Sequence, residues 1–299
     1  MSDQITVLAG LLGVSPERIR CRPVAGGCIS RAMRVDVLGS EDEGPYFAKV
    51  NDASFSDNFQ AEAAGLRLLA ETETIGVPQP LGVATAGGQA WMWSEWVEQA
   101  SGGRDSGERF YIRFGQQLAE MHRASRGTRL GLDRDNYLGA ARQLNGTTES
   151  WVAFVAQQRL GFQLKWGIQQ GLLSGTLKRD VEQIINRLDQ LLAGRGSETS
   201  LLHGDLWSGN YLCTAEGQPA IIDPAVYYGC REAEFGMLRL FGGCPPAFYE
   251  AYQSVWPLPE GWGERTQVYV LYHLLNHVNL FGSSYLGQTA AVAGQLLKR

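Results

Sequence analysis

The sequence predicts an α+β protein of two lobes, a small antiparallel β-sheet lobe with one main helix followed by a mostly helical lobe. A chain of 299 residues is long enough for about two domains. Short strand-like runs separated by glycine-rich turns fill much of residues 1–97, whereas apolar residues at helical spacing dominate residues 108–299. Residues 98–107 are polar and rich in Gly and Ser, so we place the hinge between the lobes there.

The first lobe contains five predicted strands and an N-terminal helix at residues 3–13. Residues 20–24, 31–38 and 45–50 form three of the strands, and residues 81–86 and 89–97 form a hairpin joined by Gly87 and Gly88. The last strand is apolar on both faces over most of its length. That pattern is typical of a strand that is central or covered.

Lys49 ends the third predicted strand, and Glu62 lies on the helix that follows. Ser56 or Asp57 is a plausible N-cap of this helix, whose apolar stripe contains Phe59, Ala63, Leu66 and Leu69. Glu62 flanks the stripe, and an inward-leaning carboxylate needs a cationic partner. Lys49 is the natural partner, in the arrangement that directs a lysine to nucleotide phosphates. Two unrelated surface charges are the alternative.

The second lobe is predicted to consist mainly of helices beneath a catalytic loop. Phe110, Phe114, Leu118 and Met121 form one stripe, residues 151–171 a second helix, and a third stripe runs from Leu177 through Val181, Ile184 and Leu188 to Leu191. His122, on the first of these helices, is expected to be a core or structural histidine rather than a metal ligand.

Two apolar runs around position 210 end in polar side chains that carry chemistry. Asp205 and Asn210 follow the first run at the D-x-x-x-x-N spacing of a kinase catalytic loop, and Asp223 follows the second run. A buried carboxylate is costly unless it is paired or bound to a metal. We interpret Asp205 as the group that accepts a hydroxyl proton, and Asn210 and Asp223 as Mg²⁺ ligands.

Two other interpretations of this stretch are open. The first is an ordinary turn, because Asp, Ser, Gly and Asn are common turn residues. The second is an H-x-D metal-hydrolase pair of His203 and Asp205, which is weakened because no other histidine lies nearby in the sequence.

Composition excludes several classes of function. The net charge of −5 gives no reason to expect nucleic acid or an acidic membrane as a partner. The five cysteines include no C-x-x-C pair, which favours a reducing compartment. No apolar run approaches the length of a membrane span, and the N-terminus does not look like a signal peptide. We therefore expect a soluble, cytoplasmic protein.

The nucleotide would also contact main-chain groups in the first lobe. Gly26, Gly27 and Cys28 form a turn without the full G-x-G-x-x-G pattern, yet two glycines between strands let N–H groups approach phosphates. A plain hairpin turn is the alternative. For adenine we select the connector near residues 94–97, with Glu95 and Val97 as the candidate residues.

These motifs resemble the fructosamine kinase (ketosamine-3-kinase) family over nearly the whole chain. The most specific segment is HGDLWSGN at 203–210, and the others are GGCIS at 26–30, DNY at 135–137, residues 151–160, IDPA at 222–225, LFGG at 240–243 and YHLLNH at 272–277. The resemblance implies a two-lobed protein-kinase-like fold that uses ATP and Mg²⁺. It also implies phosphorylation of the 3-hydroxyl of ketosamines, either small molecules or glycated protein lysines, as a deglycation repair.

The resemblance also bears on residues outside the kinase motifs. Trp207 could stack on the sugar, with a core tryptophan as the alternative, and Asp135 and Asn136 are further candidates for substrate contact. Cys230 stands where the family has a histidine, and Gly236 with Met237 replaces a more acidic pair, which puts the sugar preference in question. Cys28 is a candidate for redox control, with an unreactive turn residue as the alternative.

Two rival functions are open. One is another small-molecule kinase, of the aminoglycoside, choline or homoserine type. The other is a nucleotide-binding pseudokinase scaffold, although Lys49, Glu62, Asp205, Asn210 and Asp223 are all intact. The sequence leaves a monomer and a homodimer equally open.

Overall fold

A computed structural model describes residues 2–25, 29–39, 44–100 and 107–299. The predicted phosphate-loop residues Gly26, Gly27 and Cys28 lie outside the described residues, as do most of the predicted hinge residues. The fold is α+β with two lobes, as predicted, and the strand predictions of the first lobe agree with the structure to within about two residues at each end.

One antiparallel sheet forms the first lobe. Its strands are β1 (Ile19–Val24), β2 (Arg31–Val37), β3 (Tyr46–Asp52), β4 (Pro80–Ala86) and β5 (Gln89–Glu95), in the order β1-β2-β3-β5-β4. Strand β5 is therefore central, which confirms the prediction made from its two apolar faces. Gly87 and Gly88 both have positive φ in the turn between β4 and β5.

Each face of this sheet is covered by a helix. Helix α1 (Ser2–Leu12) packs through Leu8 against Val50 and Trp91, and helix α2 (Ser56–Ala70) packs through Phe59 and Leu66 against Met92 on the other face. Adjacent residues of a strand point to opposite faces. Lys49, which pairs with Met92 across the sheet, therefore faces α2 while Ala48 and Val50 face α1.

The predicted N-cap of α2 is wrong. The helix begins at Ser56, and Phe55 occupies the cap position without a side-chain hydrogen bond. A 3₁₀ turn at Ala53–Phe55 runs directly into the helix, and the side chain of Asp52 accepts a hydrogen bond from the Ser54 N–H at 3.0 Å. The capping function has moved to the turn that precedes the helix, because the chain is already coiled when it reaches Ser56.

The second lobe is mostly helical, as predicted. Its helices are α3 (Gly107–Ala124), α4 (Trp151–Phe154), α5 (Phe162–Gln169), α6 (Gly175–Asn186), α7 (Leu188–Leu191), α8 (Glu234–Leu240), α9 (Pro246–Val255), α10 (Trp262–Phe281) and α11 (Leu286–Leu297). A π-helical segment, Val155–Gly161, joins α4 to α5. The third predicted stripe spans two helices, because the chain departs from helical geometry at Arg187.

Three short antiparallel ladders complete this lobe and position the segments that carry Asp205 and Asp223. Strand β6 (Asn136–Leu138) pairs with β7 (Ala141–Gln143), β8 (Ser200–Leu202) with β11 (Tyr227–Gly229), and β9 (Tyr211–Cys213) with β10 (Pro219–Ile221). The last two ladders are nested, since Leu202 lies opposite Tyr227 and Tyr211 opposite Ile221. Residues 203–210 and 222–226 therefore lie side by side as the links between one ladder and the next.

Across the part of the chain that the structure describes, every helix is too short or too polar to cross a membrane.

Gly115 allows α3 and α9 to pack closely, because a Cβ there would lie 2.2 Å from the carbonyl oxygen of Phe248. We predict that Gly115→Ala lowers the free energy of unfolding by about 1–3 kcal/mol through overpacking. Gly10→Ala in α1, where a Cβ meets nothing within 4 Å, should instead leave stability unchanged or raise it by about 0.5–1 kcal/mol. Chemical denaturation measures both, and equal effects of the two substitutions would contradict the packing argument.

Candidate active site

The two adjacent loops bring Asp205, Asn210 and Asp223 together. The Asn210 Nδ2 donates to the main-chain oxygen of Asp205 at 2.8 Å and to its Oδ2 at 3.2 Å. It also lies 3.5 Å from the main-chain oxygen of Asp223. The amide nitrogen of Asn210 is thus used inside the site, and its amide oxygen is the atom available to a cation.

His203 ties the two loops together and does not act as a free base. Its carbonyl accepts from the Ala225 N–H at 2.8 Å, and its ring Nε2 lies 2.8 Å from the Ile222 carbonyl, to which it can only donate. The ring Nδ1 accepts from the Asp205 N–H at 3.3 Å. Both ring nitrogens are therefore occupied, which excludes the H-x-D metal-hydrolase interpretation.

The junction between residues 203–210 and 222–226 includes two uncommon backbone conformations. Asp223 has φ of 57° in the left-handed region, which is uncommon outside glycine and clusters at functional sites. Gly204 has φ of 80°, and a Cβ at this position would lie 2.2 Å from the Ala225 carbonyl oxygen. Only glycine allows the two loops to approach this closely.

Lys49 links the first lobe to this junction. Its Nζ lies 2.7 Å from Glu62 Oε1 and 2.7 Å from Asp223 Oδ1. Burial alone would lower the pKa of Lys49, but the charges of Asp223 and Glu62 outweigh that effect and raise it. Burial, helped by Asp223, raises the pKa of Glu62 to about 7, although Lys49 acts to lower it. The predicted pairing of Lys49 with Glu62 is present in the structure, with Asp223 as a second partner.

Asp205 keeps one carboxylate oxygen without a hydrogen-bond partner. Its Oδ1 is buried and unpaired, whereas Oδ2 accepts from Asn210. Burial and the neighbouring Asp223 raise the pKa of Asp205 well above its usual range, although Asn210 and Lys49 act in the opposite direction. An unsatisfied buried acceptor is costly, and such groups in native structures mark sites where a ligand supplies the missing partner.

These side chains line one cavity of about 700 Å³ between the lobes. Nine of the predicted site residues are on its wall: Lys49, Glu62, Glu95, Val97, Asn136, Asp205, Trp207, Asn210 and Asp223. Glu95 and Val97 lie at the end of β5 and just beyond it, and Trp207 lies on the second-lobe side of Asp205. The structure thus brings together residues that are up to 174 positions apart in the sequence.

The donor atoms at the junction suit a hard cation such as Mg²⁺. Asn210 supplies an amide oxygen and Asp223 a carboxylate, the ligand types that Mg²⁺ takes together with phosphate oxygens. Within the described residues, no group of three or more His, Cys, Asp or Glu side chains could hold a metal by itself. A cation here would therefore need oxygens from a bound phosphate as well.

Comparison with known proteins decides the family. The fructosamine kinase family model matches residues 2–299. The chain belongs to the fructosamine kinase family. It is 40% identical over 277 residues to a protein of Synechocystis named "probable ketoamine kinase", covering 93% of this chain and 90% of that one. It is 37% identical over 279 residues to the chloroplastic protein-ribulosamine 3-kinase of Oryza sativa, covering 92% and 78%.

Solved structures agree on the fold. A crystal structure from Thermobifida fusca, provisionally named fructosamine-3-kinase, superposes with a TM-score of 0.82 at 31% identity and covers 100% of this chain and 99% of its own. A mutant aminoglycoside phosphotransferase with ADP and hygromycin B superposes with a TM-score of 0.66 at 19% identity, covering 97% and 95%. The second likeness shows the kinase-like fold alone.

Two candidate substrate residues of this fructosamine kinase are instead engaged within the protein. Asp135 does not line the cavity, since its Oδ1 accepts from the Asn145 N–H at 2.8 Å and its Oδ2 pairs with Arg142 at 2.7 Å. Asn136 reaches the wall, but its Nδ2 donates to the Val226 carbonyl at 2.7 Å and its Oδ1 accepts two further hydrogen bonds. Both side chains hold the β6–β7 hairpin in place, and Asn136 fixes the loop that carries Asp223.

The three residues that depart from the family pattern, Cys230, Gly236 and Met237, differ in whether they face the cavity. Cys230 is buried, and burial raises its thiol pKa to about 11. Met237 lines the cavity, whereas a Cβ at Gly236 would lie 2.7 Å from the Cβ of Tyr269. Of these residues, Met237 is the one that faces the cavity. Trp207 also lines the cavity and packs against Phe241, with ring centroids 5.2 Å apart.

The sequence interpretation missed Glu234, which anchors the catalytic loop. This fully buried carboxylate accepts from the His203 N–H at 2.6 Å and from the Gly204 N–H at 3.0 Å. His122, predicted to be structural, lies 3.3 Å from Glu234 and 2.8 Å from the Tyr252 hydroxyl. The available signal was weak, because Glu234 follows Arg231 and Glu232 in a segment of mixed charged and apolar residues that identifies neither its burial nor its partners.

We predict that Glu234→Gln lowers kcat by about 10- to 100-fold, because one loop N–H loses its acceptor and Asp205 moves from its position. The KM for ATP should change much less, since Glu234 does not line the cavity. Steady-state kinetics measure kcat and KM, and thermal unfolding checks that the variant is folded. Glu250→Gln, an exposed change on α9, is the matched control, and an unaltered kcat in Glu234→Gln would contradict the anchoring role.

Proposed function

We propose that this protein transfers the γ-phosphoryl group of ATP to the 3-hydroxyl of ketosamines, the sugar adducts of glycated amines. The observation that carries the proposal is the buried Lys49, held 2.7 Å from both Glu62 and Asp223, in one cavity with the unpaired oxygen of Asp205. A cation, a metal-ligand set and a proton acceptor are the parts that phosphoryl transfer to an alcohol requires.

In this proposal the nucleotide would bind between the lobes. The main chain near Glu95 and Val97 would contact adenine, and Lys49 would contact the phosphates while Glu62 retains its position. We take residues 1–97 as the nucleotide-binding lobe, residues 98–107 as the hinge and residues 108–299 as the catalytic lobe. The loop at Gly26, Gly27 and Cys28 would cover the phosphates, as the family resemblance implies.

Asn210 and Asp223 would hold Mg²⁺ against the phosphates. When bound, the ion would neutralise the negative charge of the phosphate oxygens. Asp223 now shares its Oδ1 with Lys49 at 2.7 Å, so phosphate oxygens would replace Asp223 as the second partner of Lys49. The left-handed backbone at Asp223 fixes the direction in which its carboxylate points.

Asp205 acts on the acceptor hydroxyl. Its unpaired Oδ1 would accept a hydrogen bond from the sugar 3-hydroxyl, and Asn210 restrains Oδ2. As the sugar oxygen forms a bond to the γ-phosphorus, the bond from that phosphorus to the bridging oxygen breaks, and ADP leaves. The hydroxyl proton passes to Asp205. Trp207, two residues further along the same loop, would support the sugar ring or chain.

The relatives suggest the substrate class. Their names refer to ketoamines and to protein ribulosamines, so both small ketosamines and sugar adducts on protein lysines are candidates. The 3-phosphorylated adduct is unstable and releases the amine, which makes deglycation repair the biological outcome that we propose. The chemistry requires Mg²⁺ with ATP, and cytoplasmic location remains part of the proposal.

We predict that Asp205→Asn lowers kcat by about 10²–10⁴-fold, because the amide cannot accept the hydroxyl proton. ATP affinity should change little, since Asp205 is not assigned to the nucleotide. ADP release with a fructosamine as acceptor measures the first quantity, and titration calorimetry the second. Asp133→Asn is the control, because the Asp133 side chain is 92% exposed. Near-normal turnover in Asp205→Asn would reject the assignment.

We predict that Trp207→Leu raises the KM for ketosamine about tenfold and leaves the KM for ATP unchanged, because one aromatic face beside the sugar is lost. Comparison of the two KM values in one kinetic series provides the measurement. If both rise together, Trp207 supports the fold of the loop and not the substrate.

A further inference from the structure

The acceptor end of the cavity is a continuous row of rings that leads outward from the catalytic loop. Trp207 packs on Phe241 at 5.2 Å between centroids, and Phe241 packs on His277 at 5.3 Å. His277 in turn lies 5.4 Å from Phe281 and 4.9 Å from Tyr285. All five rings line the cavity, and Phe281 is 48% exposed at the end of the row.

The opposite side of this opening is also apolar. Ile29, 38% exposed, lines the cavity from the first lobe. Its Cδ1 lies 2.9 Å from where a Cβ would be on Gly139, and Leu280 lies 3.7 Å from the same point. Ile29 and Phe281 are two of the five large hydrophobic side chains that are exposed among the described residues, and both border this one opening. The amine part of a ketosamine would leave the cavity between them.

The charge of the cavity is unbalanced. Among the described residues that line it, Lys49 is the one basic side chain other than His277, whereas Glu62, Glu95, Asp205 and Asp223 supply four carboxylates. Lys49 is already shared by two of them. Burial lowers the pKa of His277, although the hydrogen bond that its Nδ1 donates to the His273 carbonyl at 2.7 Å acts in the opposite direction.

Arg134, which lies near the cavity and could offset its negative charge, is itself paired with a carboxylate. Tyr137 lines the cavity and donates to Asp57 at 2.8 Å, and Asp57 also pairs with Arg134 at 2.6 Å. A carboxylate that entered the acceptor end would therefore meet aromatic faces and Asp205, and no basic side chain among the described lining residues other than the paired Lys49 and His277. A protonated amine would meet faces that favour cations.

We propose that the acceptor end selects ketosamines by charge: it accepts adducts of amines that carry no carboxylate beside the ketosamine nitrogen, and discriminates against adducts of α-amino acids. Glycated lysine side chains and simple amines belong to the favoured class, because any carboxylate is several bonds away from the nitrogen. This inference rests on the proposed function and adds the substrate class to it.

The test compares two acceptors that differ by one carboxylate, fructosyl-phenethylamine and fructosyl-phenylalanine. The wild-type enzyme should favour the first by about tenfold or more in kcat/KM, with an unchanged KM for ATP. Raising the salt concentration to about 0.5 M should reduce the preference, because charge effects are screened and fit is not. Equal kcat/KM values, or a preference that salt does not alter, would overturn the inference.

The second part of the test introduces a positive charge at the opening of the cavity. Phe281→Arg should shift the preference toward the acid by about two- to fivefold, the scale of an exposed ion pair. Ser284→Arg, at an exposed position on the same wall, should act in the same direction and does not remove a ring. Leu81→Arg adds the same charge at a 47% exposed position outside the cavity wall, and its preference should match the wild type.

The outcomes separate this inference from the proposed function. Phosphorylation of both acceptors at equal efficiency leaves the ketosamine kinase activity in place and refutes the charge selection. Charge selection is also refuted if Phe281→Arg and Ser284→Arg change the preference between the two acceptors no more than Leu81→Arg does. If neither acceptor, nor any other ketosamine, yields ADP, the proposed function itself fails and the selection fails with it.

Discussion

The structure depends on one buried lysine between two carboxylates. Lys49 is 8% exposed and contacts Glu62 on α2 and Asp223 in the second lobe, each at 2.7 Å. Loss of one partner from such a buried group typically costs about 3–5 kcal/mol, because the remaining charge is left uncompensated. The ion triad therefore fixes three elements at once: strand β3, helix α2 and the loop that follows β10. In the function that we propose, this triad holds the ammonium group where the phosphates would need it.

The loops that carry Asp205 and Asp223 are held together by main-chain hydrogen bonds and by one buried carboxylate. Main-chain hydrogen bonds from Ala225 to His203 and from Ile222 to Asn210, at 2.8 and 3.0 Å, join the loops directly. Glu234 then satisfies the N–H groups of His203 and Gly204 from beneath. Because these supports use the backbone, they leave the Oδ1 of Asp205 without a hydrogen-bond partner. Its position is set by neighbours that do not compete for that oxygen.

Much of the fold and part of the site could be predicted from local patterns. The apolar residues on both faces of β5 indicated a central or covered strand, and the place of Glu62 beside an apolar stripe indicated a buried partner such as Lys49. The contact between Lys49 and Asp223 could not be obtained in this way, because it depends on how the lobes meet. Glu234 was missed for another reason: its partners lie in the same lobe but 30 and 31 residues earlier in the chain, beyond the reach of a local pattern.

The family resemblance gave Asp135 no stated chemical role, and its contact with substrate stays a prediction. Asp135 matched the family pattern and was assigned to substrate, yet its carboxylate pairs with Arg142 and the Asn145 N–H. A short turn with Asp and Asn fits a structural hairpin as well as it fits a binding loop. The row of rings could not be predicted for a different reason: the rings come from four separate segments of the second lobe, and only folding places them side by side.

The most direct test of the central claim is a crystal structure with a non-hydrolysable ATP analogue and Mg²⁺. The account predicts that Lys49 keeps its contact with Glu62 while a phosphate oxygen takes the place of Asp223, and that the metal lies between Asn210 and Asp223. A structure in which Lys49 still pairs with Asp223 and the phosphates lie elsewhere would contradict it.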